Sequence, residues 1–136
     1  MSDQSWEEYL AKDTKHKQAN ELRNELQEQI KGFESNITKI QWNLQCRIEA
    51  HVKLEAELPF TIQDGSELEC ERMHSFLDDL QEEIYTLYTT AADQVTKRAA
   101  IKAKYDEQNQ LCNQHWLRVR AEWDKLQLES TDKPQD

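Results

Sequence analysis

"AELPFTIQDGSELEC", Ala56 to Cys70, is the one stretch of this chain that breaks a helical pattern. Pro59 lacks an amide proton and disfavours helical geometry at Leu58, so a helix is expected to end near residue 58. Asp64-Gly65 is turn chemistry. Ser66-Glu67-Leu68-Glu69 has the spacing of a capping box, with Ser66 as N-cap. Glu67, Glu69 and Glu71 then supply negative charge where a helix N-terminus favours it. The stretch predicts a stop, a corner over residues 59–65 and a second helix from residue 66.

Upstream of the corner, Ala19, Leu22, Leu26, Ile30, Phe33, Ile37, Ile40, Leu44 and Ile48 recur at steps of three and four, the mark of one apolar helix face. Six steps carry Leu22 to Leu44. That mean of about 3.67 residues predicts a nearly straight or faintly right-handed seam. Ser5 with Glu8 is a capping-box pattern that starts the helix at Trp6, and Asp13-Thr14 is a later alternative start. Gly32 lies inside this helix at a cost of ~1 kcal/mol relative to Ala, which points to a close backbone approach.

Downstream, the stripe is Leu77, Leu80, Ile84, Leu87 and Ala91, then a polar lapse at Gln94 and Arg98. It resumes as Ile101, Tyr105, Cys112, Trp116, Val119, Trp123 and Leu126. Residues 6–58 and 66–128 are thus read as two helices of a single domain over 1–128, and 129–136 as a frayed polar tail. The fold expected is all-α, a long antiparallel two-helix hairpin of coiled-coil-like character. Ile40 with Ile84, Ile37 with Leu87 and Phe33 with Ala91 share an index sum of 124, which sets the expected facing pairs. Continued to the open end, within one residue of that sum, the rule collects Trp6, Tyr9 and Leu10 opposite Val119, Trp116 and His115.

Composition agrees with long helices. Among 136 residues, 37% are apolar and 32% charged, with only two Gly and two Pro to make turns. A net charge of -10 opposes general nucleic-acid binding and adsorption to anionic membrane. No apolar run approaches the ~20 residues of a membrane span, and the acidic N-terminus lacks the apolar core of a secretion signal. Cys46, Cys70 and Cys112 are an odd, widely spaced set, as in a reducing compartment. An intracellular location, cytoplasm or nucleus, is expected, and the sequon Asn36-Ile37-Thr38 has no role there.

Two helices that bury one stripe each are rarely stable in water by themselves. A second run on the downstream helix, Tyr85, Tyr88, Ala92, Val95 and Ala99, steps by three and four beside the first. Ala91, Ala100 and Ala103 leave room there for another helix to approach. Trp42 lies about 200° around the upstream helix from both Ile40 and Leu44. Tyrosine and tryptophan at such faces are typical binding anchors. The hairpin is therefore expected to complete a multi-helix bundle with a partner or with a second copy.

Chemistry-bearing residues are sparse. Cys70 and His74, four apart, with His51 placed across the hairpin and Glu55 nearby, are the candidate zinc ligands, but no Cys-x-x-Cys motif accompanies them. Cys112 and His115 have nucleophile–base spacing without a third orienting residue. Asp78, Asp79, Glu82 and Glu83 read as a solvated acidic face, and Lys97, Arg98, Lys102 and Lys104 as a solvated basic one. No catalytic residue, metal or cofactor is assigned. The expected function is a non-enzymatic structural or adaptor subunit of an intracellular multiprotein assembly, binding partner helices through an apolar seam. The alternatives are a self-associating four-helix-bundle homodimer and, from another class, a small metal- or thiol-dependent enzyme.

Overall fold

The structure, a computed structural model, describes residues 4–132, with side chains to residue 130. It contains three helices, α1 (Trp6–Ala11), α2 (Thr14–Asp64) and α3 (Glu67–Asp132), and no strand among the described residues. Each start follows from its cap. Ser5 accepts the Glu8 amide at 3.2 Å, Asp13 accepts the His16 amide at 2.8 Å, and Ser66 accepts the Glu69 amide at 3.2 Å. Both alternative upstream starts are therefore used. The chain begins one short helix at Trp6, breaks at Lys12-Asp13 and begins another at Thr14.

The corner is shorter than the sequence predicts. α2 runs through Pro59 to Asp64, and only Gly65 and Ser66 lie between the helices. Proline removes a single amide from the ladder, the one that would reach the Glu55 carbonyl. The turn beyond it closes with one further i→i−4 bond, the Gly65 amide donating to the Thr61 carbonyl at 2.7 Å, and is held from α3 by the Cys70 thiol, which donates to the same carbonyl at 3.4 Å. Gly65 does not use a positive φ. Its role is space, because a Cβ there would stand 2.5 Å from the Thr61 carbonyl oxygen. At the other end, helix continues over residues 129–132 of the expected frayed tail, and residues 133–136 lie outside the described residues.

The contacts group into two compact units, the first up to Ile30 and from Ala100 onward, the second Lys31–Ala99. In the second unit Arg47 meets Glu83 and Thr61 meets Cys70; in the first, Arg23 meets Asn109 and Asp13 meets Arg118. Rising numbers face falling ones, so α2 and α3 pack antiparallel in each unit.

Residues 61 with 70, and 13 with 118, share an index sum of 131, seven above the expected 124. The cause is the extra turn and a half of α2. Moving the corner centre from residue 62 to between 65 and 66 shifts every facing pair by one heptad. A heptad shift returns the same stripes to each other, which is why the apolar pattern alone does not reveal it.

Burial also changes the period. Along the seam of the second unit the less exposed positions include Phe33, Ile37, Ile40, Leu44, Arg47, His51, Leu54, Leu58 and Thr61 on α2, with Ala50 beside His51, facing Cys70, Met73, Leu77, Leu80, Ile84, Leu87, Ala91, Gln94 and Arg98 on α3. In the first the seam positions include His16, Ala19, Arg23, Leu26 and Ile30, facing Ile101, Tyr105, Gln108, Cys112, His115 and Val119, while Asn20, Asn109, Arg118, Arg120 and Trp123 are half-buried beside them. Steps of three and four alternate throughout. The mean is about 3.5, the heptad value, in place of the hendecad value.

Among the expected core residues of α2, Leu22 at 44% exposure and Ile48 at 38% are therefore displaced. Arg23 and Arg47 take the seam, where arginine stems cover apolar surface while the guanidinium reaches a polar partner. Gly32 has nothing within 4 Å of a built Cβ, so no close approach explains it.

Candidate interaction surface

In the first unit, α1 is seated on α3 by aromatic rings. Trp6 lies edge-on to Trp116 and Trp123 at centroid distances of 5.6 and 6.0 Å, and Tyr9 lies 5.2 Å from Trp123. The Arg120 guanidinium sits 4.8 Å over the Trp6 ring. Trp116 and Trp123, expected in the hairpin core, thus flank the seam and serve α1; Trp116 keeps 38% exposure.

The break between α1 and α2 is tied to α3 as well. Arg118 donates to both Asp13 oxygens, at 3.0 and 3.1 Å, while Asp13 caps α2. Burial raises the Asp13 pKa, but the His16 amide and the Arg118 guanidinium outweigh it and hold the carboxyl below its ordinary value.

Cys112 is 2% exposed, with His16 Nε2 at 3.7 Å and Asn20 Oδ1 at 4.0 Å from its sulfur. Its neighbour across the seam is His16, a pairing that Cys112-x-x-His115 does not indicate and that only the register reveals. Burial pushes the His16 pKa down; Asp13 opposes this, and Arg23, His115 and Arg118 add to it. An imidazole beside a thiol is nucleophile–base chemistry in kind, but at 2% exposure this cysteine offers a substrate almost no surface to reach.

The expected zinc ligands are not gathered. Cys70 donates to Thr61, His51 pairs with Glu55 at 3.5 Å, and His74 is exposed. The one-heptad shift sets Leu80, not His74, level with His51. No group of three His, Cys, Asp or Glu side chains converges on a metal-sized site among the described residues. Of the basic patch, Lys97 pairs with Asp93 at 3.0 Å, one helical turn away.

The expected partner residues stand in the open. Trp42 is 71% exposed, Tyr85 71%, Tyr88 66% and Val95 40%, with Ala92 and Ala99 exposed between them. With Leu77, Ile84 and Ala91 taken as heptad position a and Leu80 and Leu87 as d, the strip is Tyr85, Ala92 and Ala99 at b, and Tyr88 and Val95 at e. It runs beside the α2–α3 seam without entering it. Several threonines around it spend their hydroxyls on their own helix: Thr89 and Thr90 on the Thr86 carbonyl at 2.9 and 2.8 Å, and Thr96 on Ala92 at 3.0 Å. Their methyl groups extend the apolar surface beyond what the sequence suggests.

A second exposed group, Phe60, Ile62, Leu68 and Phe76, surrounds the corner. These residues lie off both apolar stripes, so periodicity does not single them out. No helix among the described residues is long and apolar enough to cross a membrane. Comparisons with protein-family models, with curated proteins and with solved structures find no match to this chain, so its own geometry carries the functional reading.

Proposed function

We propose that this chain is a non-enzymatic helical-hairpin subunit of an intracellular multiprotein assembly, acting as an adaptor that binds helices of coiled-coil type. One observation carries the reading: a strip of large and small apolar side chains, Tyr85 to Ala99, keeps helical register with the core seam yet stays uncovered. A helix laid along it would bury both tyrosine rings at roughly 25 cal/mol per Å² of apolar surface. Trp42, on the far side of α2 from its seam, offers a second anchor, so one hairpin can join two neighbours. Against catalysis, the best-placed nucleophile, Cys112, is sealed inside the seam.

The test is affinity capture of the full chain from its native source, beside the Trp42→Glu and Val95→Glu variants, with bound proteins identified by mass spectrometry. The expected result is stoichiometric recovery of a helical protein that either variant loses while its own helix content is unchanged. Recovery of the same proteins by wild type and both variants would refute the reading.

A further inference from the structure

We infer that the Tyr85–Ala99 strip is covered by the same strip of a second copy of this chain, running antiparallel about a two-fold axis level with residue 90. This rests on the strip being a partner surface and names the partner.

The first argument is self-complementarity. Where a b/e strip is itself the seam between two antiparallel helices, position b of one lies against position e of the other, as a meets d in an a/d seam. Pairing about residue 90 sets Tyr88 on Ala92 of the second copy and Tyr85 on its Val95. The two-fold repeats both contacts, so every large ring meets a small side chain. One step outward Gln81 meets Ala99, and the next step sets Asp78 against Lys102, a pair of opposite charges. A register one heptad earlier would stack Tyr85 on Tyr88 and press the Asp78 carboxylate onto Val95, an unpaired charge on apolar surface.

The flank supports the same contact. Thr89 and Thr96, beside the strip, already satisfy their hydroxyls within α3, so covering them leaves no orphaned donor. The chain also shows that b and e positions of α3 accept a helix. In the first unit, Trp116 and Trp123 at e and Arg120 at b are the residues that seat α1. In the second unit the chain supplies no such helix to these positions among the described residues. Trp42, behind the α2 seam, stays outside the contact.

Sedimentation equilibrium of the full chain at micromolar concentration tests the inference. The expected mass is twice 16.2 kDa. Tyr88→Glu and Val95→Glu are expected to weaken self-association at least about a hundredfold, because each buries an unpaired charge twice per dimer. Trp42→Glu is expected to leave the mass unchanged. Register is read independently by oxidising a mixture of Tyr85→Cys and Val95→Cys chains in a Cys46→Ser background. The mixture is expected to cross-link, and neither chain alone, since equal residues lie far beyond disulfide reach.

A folded monomer at every concentration, or a dimer sensitive to Trp42→Glu and indifferent to Val95→Glu, would overturn the self-pairing. So would cross-linking of either chain by itself. A monomer that still loses a captured protein on Val95→Glu overturns self-pairing alone; a monomer indifferent to Val95→Glu in capture as well overturns the partner surface too.

Discussion

Glycine to alanine, made at each of the two glycines of this chain, is expected to act with opposite sign. At Gly65 the new Cβ would stand 2.5 Å from the Thr61 carbonyl oxygen, 2.8 Å from Glu69 Oε2 and 3.2 Å from Thr61 Cγ2. The glutamate can swing aside, but the carbonyl belongs to the last turn of α2. To reach ordinary contact it must retreat by roughly 0.8 Å. That retreat strains the Gly65 amide bond, now 2.7 Å, and the Cys70 thiol bond, now 3.4 Å. Losing both costs about 2 kcal/mol net, and the stiffer unfolded chain returns up to about 1 kcal/mol. Gly65→Ala should therefore destabilise the protein by about 1 kcal/mol or somewhat more.

At Gly32 nothing lies within 4 Å, the residue is exposed and the helix continues on both sides, so Gly32→Ala should stabilise by about 1 kcal/mol. Thermal melts followed at 222 nm, at one protein concentration, should separate the two variants by roughly 5–10 °C. Equal stability of Gly65→Ala and wild type would refute the close approach at the corner. Failure of Gly32→Ala to gain would refute the open helix interior.

Other consequences follow from the register and the first unit. Spin labels at Asn43 and Thr86, which line one groove, should lie within helix-packing distance; labels at Asn36 and Thr86 should lie about 10 Å farther apart along the axis, and the reverse order would restore the index sum of 124. Trp116→Ala should cost about 1–2 kcal/mol, below the 3–5 kcal/mol of a fully buried ring, because 38% of the residue is exposed. Removing residues 1–12 should shift tryptophan emission to the red, and unchanged emission would mean that α1 is not docked on Trp116 and Trp123. His16 holds its proton less tightly folded than unfolded, so stability should fall as pH drops below 6.5 and level off below the folded pKa; His16→Gln should flatten that slope in urea titrations from pH 7 to 5.

Much of the architecture was legible in the residues themselves. Two Gly and two Pro among 136 residues leave a chain little choice but long helices, and Ser5, Asp13 and Ser66 announce their starts by side-chain chemistry alone. Capping and periodicity are local, so a sequence reveals them. The exposure of Tyr85, Tyr88 and Val95 was legible for the same reason, since a second stripe at helical spacing cannot share the first one's neighbour.

The tertiary structure decided the rest. Whether Pro59 ends a helix depends on what holds the next turn, and here that is Thr61 meeting Gly65 and Cys70. Six further helical residues moved the corner and shifted each facing pair by one heptad. The shift leaves the apolar stripes matched but changes every polar partner, bringing His16 to Cys112 and parting His51 from His74. Apolar letters alone recur at the hendecad period. Arg23 and Arg47 are half-buried residues that a hydropathy scale does not credit, and with them in place of Leu22 and Ile48 the seam steps by the heptad period.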